Sequence, residues 1–291
     1  MKPAPFEYHA PDTVSEAAHL LAEYRDDAKV LAGGQSLVPM LALRLAVFDH
    51  LVDVGRIGEM NGIERRDGAL WIGAGTTQST VGTNTDVSGA VPLLSRATPF
   101  IGHFQIRNRG TLGGSIAHAD PAGEYPTVAL TLDATMEVVS ATGSRAIPAR
   151  DFFESFWTTS MQPDELLAGV TFPIWNGRCG FAVEEFARRH GDFAIAGATV
   201  GVELDADDRI RRGAIGLIGL GSTPERAEAA EAAVTGRSIA DFDPADVGRL
   251  AMAGLQSVPS DLNGSAAYRT RVGAEMVARA WTRACSEARD A

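Results

Sequence analysis

The chain is poor in cysteine, with only Cys179 and Cys285 in 291 residues. Two thiols cannot build a disulfide framework, nor ligate an iron–sulfur cluster on their own. Basic residues are also in deficit, 26 Lys and Arg against 37 Asp and Glu, for a net charge of −11. Nucleic acid and anionic membrane surfaces both require clustered positive charge, so neither is expected as a partner. Long apolar runs are missing. The best of them, Leu37 to Phe48, is interrupted by Arg44 and falls short of the ~20 residues of a membrane span. The opening Met1-Lys-Pro-Ala-Pro-Phe-Glu7 lacks the apolar core of a secretory signal. These absences lead us to expect a soluble, acidic protein of the reducing cytoplasm. The hydrophobic content, 45% over 291 residues, suffices for sizeable cores in roughly two domains.

Two glycine loops stand out. Leu31-Ala32-Gly33-Gly34-Gln35-Ser36-Leu37 follows a short apolar run and precedes a helix-like segment, Val38 to Leu45. The second lies within Ile106 to Pro126, where Gly110, Gly113 and Gly114 sit among Thr111, Ser115, Asp120 and Glu124. Glycine lets N–H groups approach a ligand with no Cβ in the way, and a run of such groups makes a concave nest for phosphate oxygens. Two such loops suggest one long ligand held from two sides. Each alone also reads as plain structure: Gly33-Gly34 as a turn entering a helix, Gly113-Gly114 as a close crossing of two chain segments.

The rest of the chain alternates short strands and helices. Strands are expected at Phe6 to Tyr8, Lys29 to Leu31, His50 to Val54, Ala69 to Ile72 and Thr135 to Ser140. Thr13-Val-Ser-Glu16 is a capping box, after which Val14, Ala17, Ala18 and Leu21 share a helical face. Val91 to Phe100 reads as a helix beginning near Pro92. Gly73-Ala-Gly75 and Gly219-Leu-Gly221 lack the third glycine of a dinucleotide fingerprint, so a Rossmann domain is not expected. Composition changes near Pro173 to Gly177. Beyond it, Gly180 to Arg188, Ala194 to Leu204 and Gly213 to Gly221 suggest an antiparallel meander. Helices follow, one begun by Pro224, one opened by Asp243-Pro244 and a long one with Tyr268, Val272, Met276 and Ala280 on its apolar stripe, widened by Val277 and Trp281. The pattern as a whole is α+β.

Other chemistries find little support. His118 and Asp120 lack a third metal ligand, and Ser36 and Ser115 lack a His/Asp framework. His103 and His190 read as loop histidines, and no metal site or catalytic residue is assigned.

Taken together, Ala32-Gly-Gly-Gln-Ser36, Gly34-Gln-Ser-Leu-Val-Pro-Met40 running on to Leu43-Arg44, Arg107-Asn-Arg-Gly-Thr-Leu-Gly-Gly114, His118-Ala-Asp-Pro-Ala-Gly-Glu-Tyr125 and Arg188 to Gly197 resemble the FAD-binding medium subunit of the xanthine dehydrogenase and carbon monoxide dehydrogenase family of molybdenum hydroxylases. The resemblance covers almost the whole chain. It implies an FAD-binding domain of the vanillyl-alcohol-oxidase (PCMH) type in two subdomains over residues 1–175, and a C-terminal antiparallel sheet covered by helices over 178–288. It further implies that Ala32, Gly33, Gly34, Gln35 and Ser36 wrap the FAD pyrophosphate, with Thr111, Gly113, Gly114 and Ser115 on its other side. Glu124 would accept hydrogen bonds from ribityl hydroxyls. Phe193 would lie close to the isoalloxazine ring where some relatives carry Tyr; its bland alternative is ordinary core. The implied role is electron transfer from two [2Fe–2S] clusters on a small partner subunit to FAD and an external acceptor. Substrate (an N-heterocycle, an aldehyde or CO) would be oxidised at molybdopterin on a large subunit, in a dimer of heterotrimers. The alternatives are a stand-alone FAD oxidoreductase of the same fold and a scaffold subunit that has lost FAD.

Overall fold

The computed structural model describes residues 2–291. The strand His50–Asp53 is central in a three-stranded parallel sheet, flanked by Glu7–His9 and Ala28–Leu31. Parallel neighbours require a crossover, and the Val14–Tyr24 helix runs between the two flanking strands. Thr13 caps that helix by accepting the Glu16 N–H at 3.1 Å. The Glu16 carboxylate reaches back to the N–H of Asp12 at 2.9 Å, one residue before the position a strict capping box uses. Ala17, Ala18 and Leu21 are buried on the inner face.

A second sheet has five antiparallel strands in the order Ile63–Arg66, Ala69–Gly73, Leu166–Pro173, Thr135–Ser140, Gly143–Pro148. Its middle strand, Leu166–Pro173, escapes a reading by alternation because a bulge between Leu167 and Gly169 shifts the register. Pro92–Ala97 forms a helix that passes into a 3₁₀ turn over Thr98–Phe100. Pro99 has no N–H to extend the α ladder.

The third sheet is the expected meander: Arg178–Phe186, Ala196–Leu204 and Ile210–Ile218, with the short Glu225–Arg226 on its edge. One face carries the helices Glu228–Val234, Pro244–Met252 and Ala266–Asp290. The other face covers the Glu124–Thr131 helix, every residue of which is buried, and Thr131 Oγ1 lies 2.6 Å from Thr199 Oγ1 across that seam. Arg96 ties the same two parts together through Glu287, whose carboxylate also accepts the Phe181 N–H at 2.9 Å.

The long helix buries a different stripe from the expected one. Met276, Val277, Ala280 and Trp281 are in the core, but Tyr268 and Val272 are only half-buried, and the line starts instead at Arg269 and Gly273. Arg269 is drawn inward to bond the carbonyls of Ile195 and Gly219, at 2.5 and 3.4 Å, and both oxygens of Asp261, at 2.9 and 2.8 Å. Among the described residues no helix is long and apolar enough to cross a membrane.

Candidate cofactor site

The Ala28–Leu31 strand delivers the first glycine loop at its C-terminal end. There the carbonyls of Gly34 and Ser36 accept the N–H groups of Val38 and Met40, at 3.0 and 3.2 Å. The N–H groups of Gly33, Gly34, Gln35 and Ser36 donate to no protein group among the described residues. Gly34 has φ 73°, a left-handed conformation in which glycine meets no Cβ penalty. The Gln35 side chain folds back to give its amide N–H to the Gly33 carbonyl at 2.8 Å. This loop is therefore a row of unpaired donors, the arrangement that an anion nest requires.

The second loop is different, and the expectation that it forms a like nest is corrected here. Thr111 caps the Leu112–His118 helix, its Oγ1 accepting the Gly114 N–H at 2.9 Å. The N–H groups of Leu112, Gly113 and Ser115 go to the carbonyls of Thr76, Ala74 and Thr111, at 2.9, 2.9 and 3.1 Å. All four donors of the first turn are spent within the protein. What this segment offers is a wall. A Cβ on Gly33 would stand 2.7 Å from Gly110 Cα and collide with the Arg109 carbonyl oxygen. One on Gly114 would stand 3.2 Å from Ala32 Cβ. The two loops lie side by side, and both readings of the glycines hold in part: a donor row in one, a close chain crossing between them. Gln78, overlooked in the sequence, belongs here too. Its N–H bonds the Gly110 carbonyl at 2.8 Å, and its buried Oε1 has no partner.

Glu124 opens the buried helix beneath the third sheet. Burial pushes its carboxyl up to about 7, helped by the negative charge of Asp120. Glu185, on the strand above, is pushed up to about 9 by burial and by Glu124, and its Oε2 has no hydrogen-bond partner. Two carboxyl groups from distant parts of the chain thus share a poorly solvated seam. Phe193 is not core: it is 65% exposed, between Phe186 and a buried Ala194-Ile195. Its loop is pinned by the Arg269 bond to Ile195 and by close packing of Gly191 on Gly102 and His103. The Gly219 N–H bonds the Pro121 carbonyl at 2.8 Å, joining the third sheet to the segment before Glu124. His118 and Asp120 do not converge on a metal. The nearer Asp120 oxygen is 4.0 Å from His118 Nε2 and accepts the Trp157 indole N–H at 3.1 Å.

Residues 4–175 match the family model of the FAD binding domain in molybdopterin dehydrogenase. Residues 181–284 match the CO dehydrogenase flavoprotein C-terminal domain. The chain belongs to this flavoprotein family. It is 42% identical to 6-hydroxypseudooxynicotine dehydrogenase complex subunit alpha of Paenarthrobacter nicotinovorans, over 99% of this chain and 97% of that one. Among solved structures it superposes with a TM-score of 0.95 on carbon monoxide dehydrogenase from Hydrogenophaga pseudoflava, at 36% identity and 99% coverage of both chains. The TM-score to quinoline 2-oxidoreductase from Pseudomonas putida 86 is 0.93, at 34% identity and 99% coverage of both. The relatives are subunits of molybdenum-containing dehydrogenases, and the architecture of an FAD-binding domain followed by a helix-covered sheet is theirs.

The residues present fit the flavin nucleotide of this flavoprotein family. The unpaired amides at Gly33 to Ser36 suit pyrophosphate oxygens, and the unpartnered Gln78 Oε1 suits a ligand donor. Both thiols are half-buried and poorly ionised, Cys179 pushed up to about 11 and Cys285 to about 12 by desolvation, so neither is a reactive nucleophile.

Proposed function

We propose that this flavoprotein is the electron-transfer subunit of a heterotrimeric molybdenum hydroxylase. The observation that carries the reading is the row of unpaired N–H groups at Gly33, Gly34, Gln35 and Ser36, held open by backbone packing of Gly33 on Arg109 and Gly110. When bound, FAD supplies the capacity to take up electrons singly and release them in pairs. The chain's own part is to hold the nucleotide and exclude water from it. Ala32 through Ser36 would cradle the pyrophosphate. Thr111, Gly113, Gly114 and Ser115 would form the facing wall, contributing hydroxyls and close backbone rather than free amides. Glu124 would accept from ribityl hydroxyls, and the exposed ring of Phe193 would lie beside the isoalloxazine. The break between an FAD domain at 1–175 and a C-terminal domain at 178–288 falls where the Leu166–Pro173 strand has ended and the Arg178–Phe186 strand begins.

The division of labour follows from chemistry. Two cysteines in the whole chain are too few to ligate a [2Fe–2S] relay, so a small subunit would bring it and a large molybdopterin subunit would oxidise the substrate, an N-heterocycle, an aldehyde or CO. A dimer of heterotrimers is the proposed assembly. The experiment is reconstitution. The isolated chain should bind FAD stoichiometrically, with a flavin spectrum, yet show no bleaching with substrate; adding both partner subunits should bring substrate-dependent bleaching. Bleaching by the isolated chain at the rate of the complex would make it a stand-alone oxidoreductase, and failure to bind FAD would make it a scaffold.

A further inference from the structure

We propose that Glu7, His9 and His50 form a binding site for one first-row divalent cation, of which Zn²⁺ is the type. The site is created by strand register. Glu7–His9 and His50–Asp53 run in parallel with Glu7 opposite His50. Side chains two apart on a strand share a face, so Glu7 and His9 point to the side on which His50 stands. His9 Nε2 is 3.1 Å from His50 Nδ1, and His50 Nδ1 is 3.7 Å from a Glu7 carboxylate oxygen. The three donor atoms all lie within 4.8 Å of one another.

The two shorter separations, 3.1 and 3.7 Å, bracket the spacing a metal would set. With Zn–N and Zn–O bonds near 2.0–2.1 Å in a tetrahedron, ligand atoms stand about 3.3–3.4 Å apart. Two imidazoles and one carboxylate make a borderline-soft set that suits zinc, nickel or copper and discriminates against magnesium and calcium, which take oxygen. The rings are held in place from outside. Tyr24 stacks on His50 with centroids 3.8 Å apart and planes 9° apart, and on His9 at 5.3 Å and 28°. A ring fixed by stacking loses less freedom when it binds, which is the benefit that supporting contacts give a metal ligand. The Glu7 side chain is 74% exposed and that of His50 only 17%, so the fourth coordination position would face water.

The site is separate from the nucleotide loops. Ala28 pairs with His50 while Leu31, at the other end of the same strand, leads into the glycine loop. What an ion would do here is mechanical: Glu7–His9 is an edge strand of three residues, and coordination would clamp it to the central strand. A ligand that binds only the folded state stabilises it by mass action.

The test uses the full-length chain, dialysed against chelator and titrated with Zn²⁺ in a calorimeter. One ion per chain is expected, with a rise in the melting temperature. His9→Ala should weaken binding by on the order of tenfold or more, and so should His50→Phe, which retains a ring for Tyr24 to stack on. Glu7→Gln should weaken it less. FAD content should be unchanged in all three. Absence of stoichiometric uptake by the wild type, or equal uptake by a His9→Ala/His50→Phe double variant, would overturn the proposal.

Discussion

Gly33 and Arg109 meet backbone to backbone: a Cβ on the glycine would fall on the arginine's carbonyl oxygen. The contact is made by two loops far apart in sequence. It means that the first glycine loop is shaped by a neighbouring chain segment before any ligand arrives.

Gly33→Ala should therefore lower the stability of the apo chain and also weaken FAD. Overpacking of this kind costs roughly 1–3 kcal/mol, and the displaced loop should lose at least about tenfold in FAD affinity. Thermal melts of the apo protein and fluorescence titration with FAD read the two effects. If only affinity changes, the glycine serves the ligand alone and the bracing role is wrong. Gly114→Val should act in the same way, by prising Thr111 and Ala32 apart.

The proposed place of Glu124 beside the ribityl chain predicts a pH-dependent FAD affinity. Its carboxyl, held up near 7 by burial, would accept hydroxyl donors better as the anion, and hydrogen bonds to charged groups are worth roughly 1.5–3 kcal/mol. Binding would then pull its pKa down and release a proton, so FAD affinity should rise from pH 6 to pH 8. Glu124→Gln should be about tenfold weaker at pH 8 and should show a flatter profile. An unchanged profile would remove Glu124 from the site.

Glu185 gives a pH-dependent stability of opposite character to a salt-bridged acid. Its pKa is raised on folding from the ordinary 4.5 to about 9, so over that window the native state holds more protons than the unfolded one. Stability must fall as pH rises wherever the native state binds the extra protons. The destabilising contribution is absent below pH 4.5, grows through neutrality and is complete above about 9. Glu185→Gln should raise the melting temperature at pH 8.5 and change it little at pH 5. Equal shifts at both values would locate the effect elsewhere than in the proton.

Arg269 ties the Phe193 loop to the third sheet. Arg269→Met would leave the Ile195 and Gly219 carbonyls without this donor, at a cost of about 1–3 kcal/mol per unsatisfied buried group. Hydrogen exchange across residues 187–195 should quicken. Protection equal to the wild type would show that the loop is held by Gly191 and His103 without it.

The sequence alone determined where the local decisions lay. Thr13, Pro92 and Asp243 start helices at their expected positions, and the meander after residue 178 follows from apolar runs separated by turns, because capping, φ restriction and alternation act over a few residues. It also marked both glycine loops. The tertiary structure decided what those loops are. The Gly113 N–H is spent because Ala74 happens to lie opposite, while the Gly33 to Ser36 donors stay free; hydrogen-bond occupancy depends on a partner that sequence spacing does not place. Glu124 reads as an ordinary acid until a sheet from the other half of the chain removes its water and sets Glu185 beside it. Phe193 before Ala-Ile-Ala reads either as an aromatic beside the flavin ring or as ordinary core, and only the path of its loop turns it outward. His50 is forty-one residues from His9, and parallel pairing alone makes them neighbours. Local propensity is written along the chain; desolvation and convergence are written across it.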